Sequence, residues 1–352
     1  MKSFQMDRFL VNDGEPPVFL PDIGTFFDQD MNIAESLIRS LQAAGASLIK
    51  GEILHDADIA LDDDTVETYM SRDGAIIKER NRDLIERKVV PLASYEKLFG
   101  LCKTLDLGFV LSVYDLRGAE FSRDIGACAL KIASSNIVHR PLIEYTARLG
   151  LPMIVDTGKS TLEEIARAVQ WAEDAGGAAI LLEHSPEAPP SPLTNHNLRM
   201  LTTLRRIFDR PVGLSDHHVG DEMLYAAVAL GAHALEKGVV PDFMKEDQDV
   251  NHALPISRFA EVLAKCNRIQ TALGVGMRYL PRASKKHPYR MGAVACTDIP
   301  AGEMLTLNNT SFAFPAKGIP VEHWDVIEGW RVCGNITCGQ VIRWQDVQPD
   351  SS

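Results

Sequence analysis

Eight short runs of aliphatic and β-branched residues alternate with stretches of helical periodicity, and this alternation constrains the fold more than any other feature of the chain. The runs read VFLPDIG (18–24), ASLIKGE (46–52), LGFVLSVY (107–114), ALKIAS (129–134), LPMIVDTG (151–158), AAILLEH (178–184), PVGLSDH (211–217) and HALEKGVV (233–240). Amphipathic stretches lie between them, for example at 31–46, 140–150, 160–177 and 222–232. Eight strand–helix units joined by short loops predict a closed (β/α)₈ TIM barrel rather than an open doubly wound sheet.

Several residues indicate where these helices begin and end. We expect Ser160 to cap the helix after the fifth run, because a serine side chain can accept a hydrogen bond from a free N–H group of the first turn. Three glycines follow helical stretches and are expected to end them: Gly150, Gly176 and Gly231.

The character of the sequence changes after a long helical stretch at 256–274. A polar, basic connector follows at 279–290, and the segment 291–347 then shows short strand-like runs and turn residues with little helical periodicity. We therefore assign residues 1–280 to a barrel domain, and residues 281–352 to a linker and a small β-rich domain.

Charge and cysteine content exclude several classes of protein. The 48 Asp and Glu residues outnumber the 36 Lys and Arg residues, giving a net charge of −12, which argues against a nucleic-acid or anionic-membrane partner. The N-terminus lacks a signal-peptide pattern and no long apolar run is present, so we expect a cytoplasmic protein. The six cysteines form no CxxC pair, which indicates reduced and mostly buried thiols rather than a zinc ribbon or a disulfide framework.

Polar and charged residues collect at the carboxyl ends of the predicted strands. They are Asp22, Lys50, Glu52, Lys131, Ser134, Asp156, Glu183, His184, Ser215, Asp216, His217, Glu236 and Lys237. In a barrel these strand ends form one rim, and the active sites of such barrels are built there. Convergence from most of the strands therefore predicts a functional site at this rim.

Two lysines stand inside otherwise apolar strands. A cation in such a position is costly to bury unless an anion compensates its charge, so Lys50 and Lys131 predict a pair of ammonium groups that hold phosphate or carboxylate. The alternative is a set of salt bridges to Glu52 or Asp156. A Schiff-base role for Lys131 also stays open, since burial can lower the pKa of a lysine.

The segment GLSDHHVG (213–220) brings a hydroxyl, a carboxylate and two imidazoles to the end of one strand. Such a group could hold a phosphate, a proton relay or a divalent metal ion. In the alternative interpretation Ser215 or Asp216 caps the following helix and the histidines are solvated.

Several motifs, in order along the chain, resemble the N-acetylneuraminate (sialic acid) synthase family. GLSDHHVGDEMLYAAVALGAHALEKG resembles the GLSDHT signature of that family, and AGASLIKGE, LKIASSNIVHRPLI and VDTGKSTLEEI resemble three of its other strands. ACTDIPAGEMLTLNN and GIPVEHWDVIEGWRV resemble its antifreeze-like (SAF) domain. The resemblance spans roughly residues 18–347. The family also includes proteins similar to spore coat polysaccharide biosynthesis protein E.

This resemblance implies a chemistry and a set of residues. Phosphoenolpyruvate would condense with the aldehyde of an amino sugar by C–O cleavage, giving an α-keto sugar acid, with Mn²⁺ or Mg²⁺ as cofactor and a domain-swapped homodimer as the assembly. By resemblance the catalytic residues are Asp22, Lys131, Asp216 and His217. The substrate-binding residues are Lys50, Glu52, Lys131, Ser134, Asp156, Ser215 and Lys286.

Other positions depart from the pattern of the family. In the E-K/R-H ending, Gly238 stands where the family has its second metal-binding histidine. We therefore expect His217 alone to bind metal weakly or not at all. Of the conceivable replacements, Asp22 is at the rim of the first strand and Asp249 is in the loop after the eighth strand, whereas His218 is expected to point away. In the first strand, the pattern E-I-G-x-N-H of the family appears as Asp22 to Phe27, with a shorter acid at Asp22 and with Thr25-Phe26-Phe27 in place of x-Asn-His. The remaining departures are Asn136 for Glu, Asp156 for Ser, EHSPEAPPSP (183–192) without its tyrosine, and Phe314 for the arginine of the SAF domain.

Three functional hypotheses follow. The first is a synthase of this family with an altered acceptor, acting in surface polysaccharide biosynthesis. The second is a Schiff-base aldolase that uses Lys131. The third is a non-catalytic phosphate- or sugar-binding relative, suggested by the changes at Gly238 and Phe314.

Overall fold

A computed structural model of the chain describes residues 2–186, 191–277 and 289–350. The chain divides into two compact units, Met1–Val275 and Gly276–Ser352. Residues 280 and 281, where the domain boundary is predicted, lie outside the described residues, and so does Lys286.

Eight parallel strands of the first unit close into a barrel. The strands of this unit are β1 (Phe4–Met6), β2 (Phe9–Val11), β3 (Val18–Asp22), β4 (Leu48–Ile53), β5 (Val66–Met70), β6 (Ile76–Arg80), β7 (Gly108–Val113), β8 (Ala129–Ile132), β9 (Met153–Asp156), β10 (Ile180–His184), β11 (Val212–Asp216), β12 (Ala234–Val240) and β13 (Leu254–Pro255). Hydrogen bonds connect β3, β4, β7, β8, β9, β10, β11 and β12 in this order, and β12 pairs with β3. The predicted TIM barrel is confirmed, and each predicted run contains one of its strands.

Helices follow the barrel strands. They are α1 (Met31–Ala43), α2 (Asn81–Lys88), α3 (Leu92–Thr104), α4 (Leu116–Asp124), α5 (Arg140–Arg148), α6 (Leu162–Asp174), α7 (Met200–Phe208), α8 (Glu222–Ala229) and α9 (Ile256–Leu273). The prediction of Ser160 as a cap is wrong by one residue, because Thr161 caps α6 in a reciprocal capping box with Glu164. Three glycines that directly follow helices have positive φ angles, as expected: Gly150, Gly176 and Gly231.

Two antiparallel hairpins were not predicted from the sequence. The first joins β1 to β2, and the buried side chains of Met6 and Val11 belong to the apolar cluster at the amino ends of the barrel strands. The second joins β5 to β6 and interrupts the connection between β4 and α2. Strands of three residues, and strands that are mostly exposed, carry too little apolar periodicity to be identified from the sequence.

The interior of the barrel has two layers, because side chains that face inward recur every second residue along a strand. The lower layer, toward the amino ends of the strands, is apolar apart from a glycine: Leu20, Leu48, Val110, Ala129, Ile154, Leu181, Gly213 and Ala234. The upper layer comes two residues later on the same strands: Asp22, Lys50, Ser112, Lys131, Asp156, Glu183, Ser215 and Glu236. The functional site therefore stands directly on an apolar base.

The second unit is small and built from short strands in its described residues, 289–350. These are β14 (Gly292–Ala295), β15 (Thr310–Ala313), β16 (Arg331–Val332) and β17 (Val347–Gln348), with a short helix α10 (Trp324–Ile327). β14 pairs with β15 and β16 pairs with β17, both antiparallel. The fold class predicted for this region, a small β-rich domain after the barrel, is confirmed.

Two further expectations concern membranes and cysteines. In the part of the chain that the structure describes, no helix is both long and apolar enough to span a bilayer. All six cysteines are free thiols, as expected, but the expectation that most are buried is wrong. Cys296, Cys333 and Cys338 are exposed, because the small second unit has a large surface for its core.

Candidate active site

The carboxyl ends of the barrel strands enclose a cavity of about 190 Å³. Among the residues that line it are Asp22, Lys50, Glu52, Tyr114, Lys131, Ser134, Asp156, Ser215, Asp216, His217, Glu236, Lys237, Asp249 and His252. Every catalytic and substrate-binding residue implied by the family resemblance lines this cavity, apart from Lys286, which is outside the described residues. Glu183 and His184, which were also predicted at the rim, do not line it. The barrel topology explains this convergence, because parallel strands bring all their carboxyl ends to one face.

The ammonium group of Lys50 forms two ion pairs. Its Nζ atom lies 2.6 Å from Asp22 Oδ2 and 3.1 Å from Glu52 Oε1. The Tyr114 hydroxyl donates a hydrogen bond of 2.7 Å to the other carboxylate oxygen of Glu52. Burial, only partly offset by Lys50, raises the pKa of Asp22 to about 7, so this carboxyl can exchange a proton near neutral pH.

Lys131 is surrounded by three carboxylates. Its Nζ atom lies 2.5 Å from Glu236 Oε1, 2.9 Å from Glu183 Oε2 and 3.2 Å from Asp156 Oδ2. Burial works against the charged ammonium group, but these carboxylates outweigh it and hold the pKa of Lys131 well above its usual value. The salt bridges to Glu52 and Asp156 that the sequence offered as the alternative are therefore present. Both lysines also line the cavity, and their binding of phosphate or carboxylate stays a prediction.

Two of the carboxyl groups near Lys131 have opposite pKa shifts. Burial raises the pKa of Glu183 to about 8, although Lys131, which lies 2.9 Å from its Oε2 atom, offsets part of the effect of burial. Burial also disfavours the charge of Glu236, but Lys131 and Lys50 outweigh it and lower the pKa of Glu236 to about 2. Ser215 further stabilises the Glu236 carboxylate with a hydrogen bond of 3.0 Å. Glu183 is therefore the neutral member of the group near pH 7, and Glu236 is the charged one.

Asp216 pairs with a third lysine. Lys237 Nζ lies 2.9 Å from Asp216 Oδ2 and donates a second hydrogen bond of 2.6 Å to the carbonyl oxygen of His218. The alternative in which Ser215 or Asp216 caps the next helix is wrong, because α8 has Asp221 at its N-cap. The pair instead fixes the path of the chain directly after β11.

The two adjacent histidines after β11 have different neighbours. The His217 ring packs edge to face against His252, with the centroids 4.9 Å apart, whereas the His218 ring packs against His196 at 5.0 Å. Burial lowers the pKa of both His217 and His252, which favours the neutral imidazole. His252 was missed in the sequence analysis, because it lies in a loop ten residues or more after the last barrel strand and has no motif around it.

The second of the two metal ligands implied by the family resemblance is not available in this chain. Gly238 has no side chain, and a Cβ atom there would lie 3.3 Å from Phe26 Cζ and 3.4 Å from Ala253 Cβ. The aromatic ring of Phe26, another departure from the family pattern, thus lies beside the position where a second histidine would stand. An imidazole at position 238 would have to displace this ring, so the pair formed by positions 217 and 238 does not fit a metal ion.

The other departures lie at different distances from the cavity. Thr25 lines it, whereas Phe27 is buried in the main apolar core and Asn136 is in a 3₁₀ turn, outside the cavity lining. Phe314 lies in the second unit with 60% of its surface exposed.

Among the residues that line the cavity, six carboxyl groups face three ammonium groups, so negative charge is in excess.

Comparison with known proteins gives one family for most of the chain. The model of the NeuB family matches residues 37–278, and that of the SAF domain matches residues 290–348. An uncharacterized protein of Methanocaldococcus jannaschii is 30% identical over 350 residues, which cover 98% of each chain. Pseudaminic acid synthase of Helicobacter pylori is 25% identical over 336 residues, covering 95% of this chain and 98% of that enzyme.

A solved structure supports the same fold. The N-acetylneuraminic acid (sialic acid) synthetase of Leptospira borgpetersenii, in complex with citrate, superposes with a TM-score of 0.71 at 22% identity. The superposition covers 81% of this chain and 94% of that protein.

Proposed function

The chain belongs to the NeuB family, and from this premise we propose that it condenses phosphoenolpyruvate with the aldehyde of an amino sugar. The product would be an α-keto sugar acid for a surface polysaccharide. The observation that carries the proposal is the position of Lys50 and Lys131, two buried lysines that line one cavity at the rim of the barrel. These buried ammonium groups would attract an anionic substrate to this place, whereas the six carboxyl groups of the lining oppose its binding.

The reaction balances without an oxidant or reductant. C3 of phosphoenolpyruvate forms a bond to the aldehyde carbon, and the aldehyde oxygen takes up a proton. Water adds to C2, and the C2–O bond to the phosphate then breaks, so inorganic phosphate leaves and the keto acid remains. Asp22 is the best candidate for the proton donor, since its pKa of about 7 permits proton exchange near neutral pH.

The role of the lysines is electrostatic. Phosphoenolpyruvate and the departing phosphate carry several negative charges, and fixed ammonium groups stabilise such charge better than reorganising water does. Ser134 lies at the start of a 3₁₀ turn in the same cavity and can donate a hydrogen bond to an anion. Asp156 and Glu183 oppose this role, so binding of the trianion should improve as the Glu183 carboxyl becomes protonated below about pH 8.

The geometry disfavours the Schiff-base aldolase. Imine formation needs a neutral amine as nucleophile, but the three carboxylates around Lys131 hold its ammonium group protonated. We therefore expect borohydride and a keto acid to leave Lys131 unmodified.

A non-catalytic binding protein is the second candidate, and Gly238 favours it, because the family resemblance puts a metal-binding histidine at this position. Asp156 bears on both candidates. Asp156 replaces the serine of the family pattern and adds a carboxylate 3.2 Å from Lys131, which weakens the attraction of this lysine for an anion. Replacement of Asp156 by serine removes that carboxylate.

Release of phosphate tests both candidates. Wild-type protein is incubated with phosphoenolpyruvate and a panel of aldehydes that includes N-acetylmannosamine. The panel also contains the six-carbon precursors of pseudaminic acid and N,N′-diacetyllegionaminic acid, because two groups of relatives make these acids. We expect aldehyde-dependent phosphate release, with bridging ¹⁸O retained in the phosphate, and a lower KM for phosphoenolpyruvate in Asp156→Ser. Binding of phosphoenolpyruvate without turnover for any aldehyde would favour the binding protein.

The family resemblance also implies a homodimer in which the second unit of one chain covers the barrel of the other. Exclusion of water from the site is the physical reason for such a cover. Sedimentation equilibrium of the full chain tests this part of the proposal, and a monomer at micromolar concentration would contradict it.

A further inference from the structure

We propose that Lys88 is a positioning residue, which holds together two loops that form one wall of the cavity. The first loop is 23–30, after β3, and the second loop is 241–253, after β12. The wall they form is the one that the aldehyde would meet. This last part of the inference rests on the proposed function, whereas the positioning of the loops is tested without turnover.

The two loops lie across the barrel from part of the proposed anion site. β3 and β12 are neighbours in the closed sheet, and β8 and β9 are on the opposite side of it. Thr25 and Asp249 therefore line the cavity from the side opposite Lys131 and Ser134, which belong to β8 or follow it. An anion held by Lys131 and Ser134 would leave the wall of Thr25 and Asp249 to the second substrate.

The ammonium group of Lys88 contacts both loops. Its Nζ atom lies 2.5 Å from Asp247 Oδ2 in the second loop and donates a hydrogen bond of 3.0 Å to Thr25 Oγ1 in the first. The carboxylate of Asp28 lies farther away, at 3.8 Å, and is paired with Arg87. Lys88 itself belongs to α2, so one cation from outside the two loops bridges them.

Burial makes this bridge costly to break. The side chains of Lys88 and Asp247 are each only 2% exposed, and removal of one partner of a buried ion pair leaves the other charge uncompensated. The second carboxylate oxygen of Asp247 accepts a hydrogen bond of 3.1 Å from the backbone N–H of Asp249. Lys88 thus fixes the Asp247 carboxylate, which in turn fixes the backbone that carries Asp249 to the cavity. Neither Lys88 nor Asp247 lines the cavity, so both act through other residues.

Two further contacts hold the second loop. Arg72, in the turn between β5 and β6, donates hydrogen bonds of 3.1 and 3.0 Å to the carbonyl oxygens of Val250 and Ala253. Phe26 of the first loop packs against Val250 and Ala253 in a small apolar cluster. The connection between β4 and α3, which carries β5, β6 and α2, therefore supplies two cations to the loop after β12. This gives the unpredicted β5–β6 hairpin and α2 a place in the site.

Hydrogen exchange of the full-length protein, without substrates, tests the positioning of the loops. Lys88→Met removes the ammonium group and keeps a side chain of similar length. We expect the backbone amides of 245–253 to exchange at least about tenfold faster in Lys88→Met than in the wild type, because the loop opens locally. The amides of β8 and β9 should change much less. Asp247→Asn keeps the shape of the partner and should show the same pattern if Lys88→Met is unfolded by circular dichroism.

The matched control is Arg210→Met. The Arg210 side chain is also 2% exposed and forms an ion pair with Glu173, but it lies at the amino end of β11, away from the cavity. This variant loses a buried cation as Lys88→Met does, and exchange in 245–253 should stay as in the wild type. Equally faster exchange of that segment in Arg210→Met would reduce the effect of Lys88 to a general loss of stability and overturn its positioning role.

Kinetics test the assignment of the wall to the aldehyde. With an aldehyde that the wild type converts, Lys88→Met should raise KM for the aldehyde at least about fivefold and change KM for phosphoenolpyruvate less than about twofold. Lys88→Arg, which can keep the ion pair, should recover most of this loss. A purely structural role would change both constants together or neither, and either result would overturn the assignment.

The outcomes separate this inference from the proposed reaction. Unchanged exchange of 245–253 in folded Lys88→Met and Asp247→Asn would overturn the positioning role, whether or not the wild type releases phosphate. Faster exchange in both variants, with no phosphate release by the wild type for any aldehyde, would support the positioning of the loops and contradict the reaction.

Discussion

The lower layer of the barrel interior is filled by aliphatic side chains and the upper layer by lysines and carboxylates, although the two are separated by only two residues on each strand. On β8, Ala129 precedes Lys131, and on β10, Leu181 precedes Glu183. Two residues of a strand span about 7 Å. Within this short distance the environment changes from an apolar core to a group of buried charges.

The two layers contribute to stability in different ways. Each lower-layer side chain stabilises the fold by its transfer out of water, at about 25 cal/mol per Å² of apolar surface, whatever the pH. Each upper-layer charge has lost its hydration and depends on its partners for compensation. The upper layer is therefore explained by the site it forms rather than by stability, and substitutions in the two layers should have different effects.

The largest effect is expected for Lys131→Met. The change removes the one cation shared by Glu236, Glu183 and Asp156 and leaves buried carboxylates without compensation. We expect a loss of about 3 to 5 kcal/mol in the free energy of unfolding at pH 7.5, measured by urea denaturation. The double variant Lys131→Met/Glu236→Gln should recover part of this loss, because Glu236 is the charged partner of this lysine. An unchanged urea midpoint in the single variant would contradict the charge pairing.

A smaller loss is expected for Leu181→Ala in the lower layer. Leu181 is fully buried, and truncation removes apolar contacts and leaves a cavity, at a cost of about 3 kcal/mol. The loss should be the same at pH 5.5 and pH 8, and KM for phosphoenolpyruvate should not change at temperatures where the variant is folded. A loss that depends on pH would show that the layers are not independent.

The Glu183 carboxyl of the upper layer should also make the stability of the fold depend on pH, which distinguishes it from the apolar lower layer. Its pKa is about 8 in the folded chain against an ordinary value of 4.5, so the folded state binds the extra proton and stability must fall as pH rises from about 4.5 to 8. Lys131, Asp156 and Glu236 are the charged groups that face it. Urea denaturation of Glu183→Gln should show about 3 kcal/mol less stability lost between pH 5.5 and 8 than in the wild type. Parallel pH profiles for the two proteins would refute the raised pKa.

The barrel and its charged rim could be predicted from the sequence because both depend on local patterns. Aliphatic runs of strand length mark the eight strands of the barrel, and a charged residue at the end of such a run has to face either the rim or solvent. The strand ALKI shows why the site could be predicted from the sequence. Lys131 stands two residues after a buried alanine, and side chains two residues apart on a strand lie on the same face.

The rest depends on contacts between distant segments. No local pattern relates Lys131 to Glu236, which are 105 residues apart, and the excess of carboxylates appears only when the strands close. Likewise, His252 meets His217 because Phe26 packs beside Gly238 and fixes the loop, a contact that joins three separate parts of the chain. Such packing determines which departures from a family pattern compensate one another.

The smallest effect is expected for Ile154→Val, and it provides the closest comparison of the two layers. Ile154 and Asp156 lie on β9, two residues apart, and both are buried. Removal of one methylene group from Ile154 should cost about 1 kcal/mol of unfolding free energy and leave KM for phosphoenolpyruvate unchanged. Asp156→Ser should have the opposite profile, with a lower KM, because Lys131 loses one competing carboxylate. If Ile154→Val altered KM as much as Asp156→Ser did, the lower layer would also affect substrate binding. The claim that the lower layer contributes to stability alone would then be wrong.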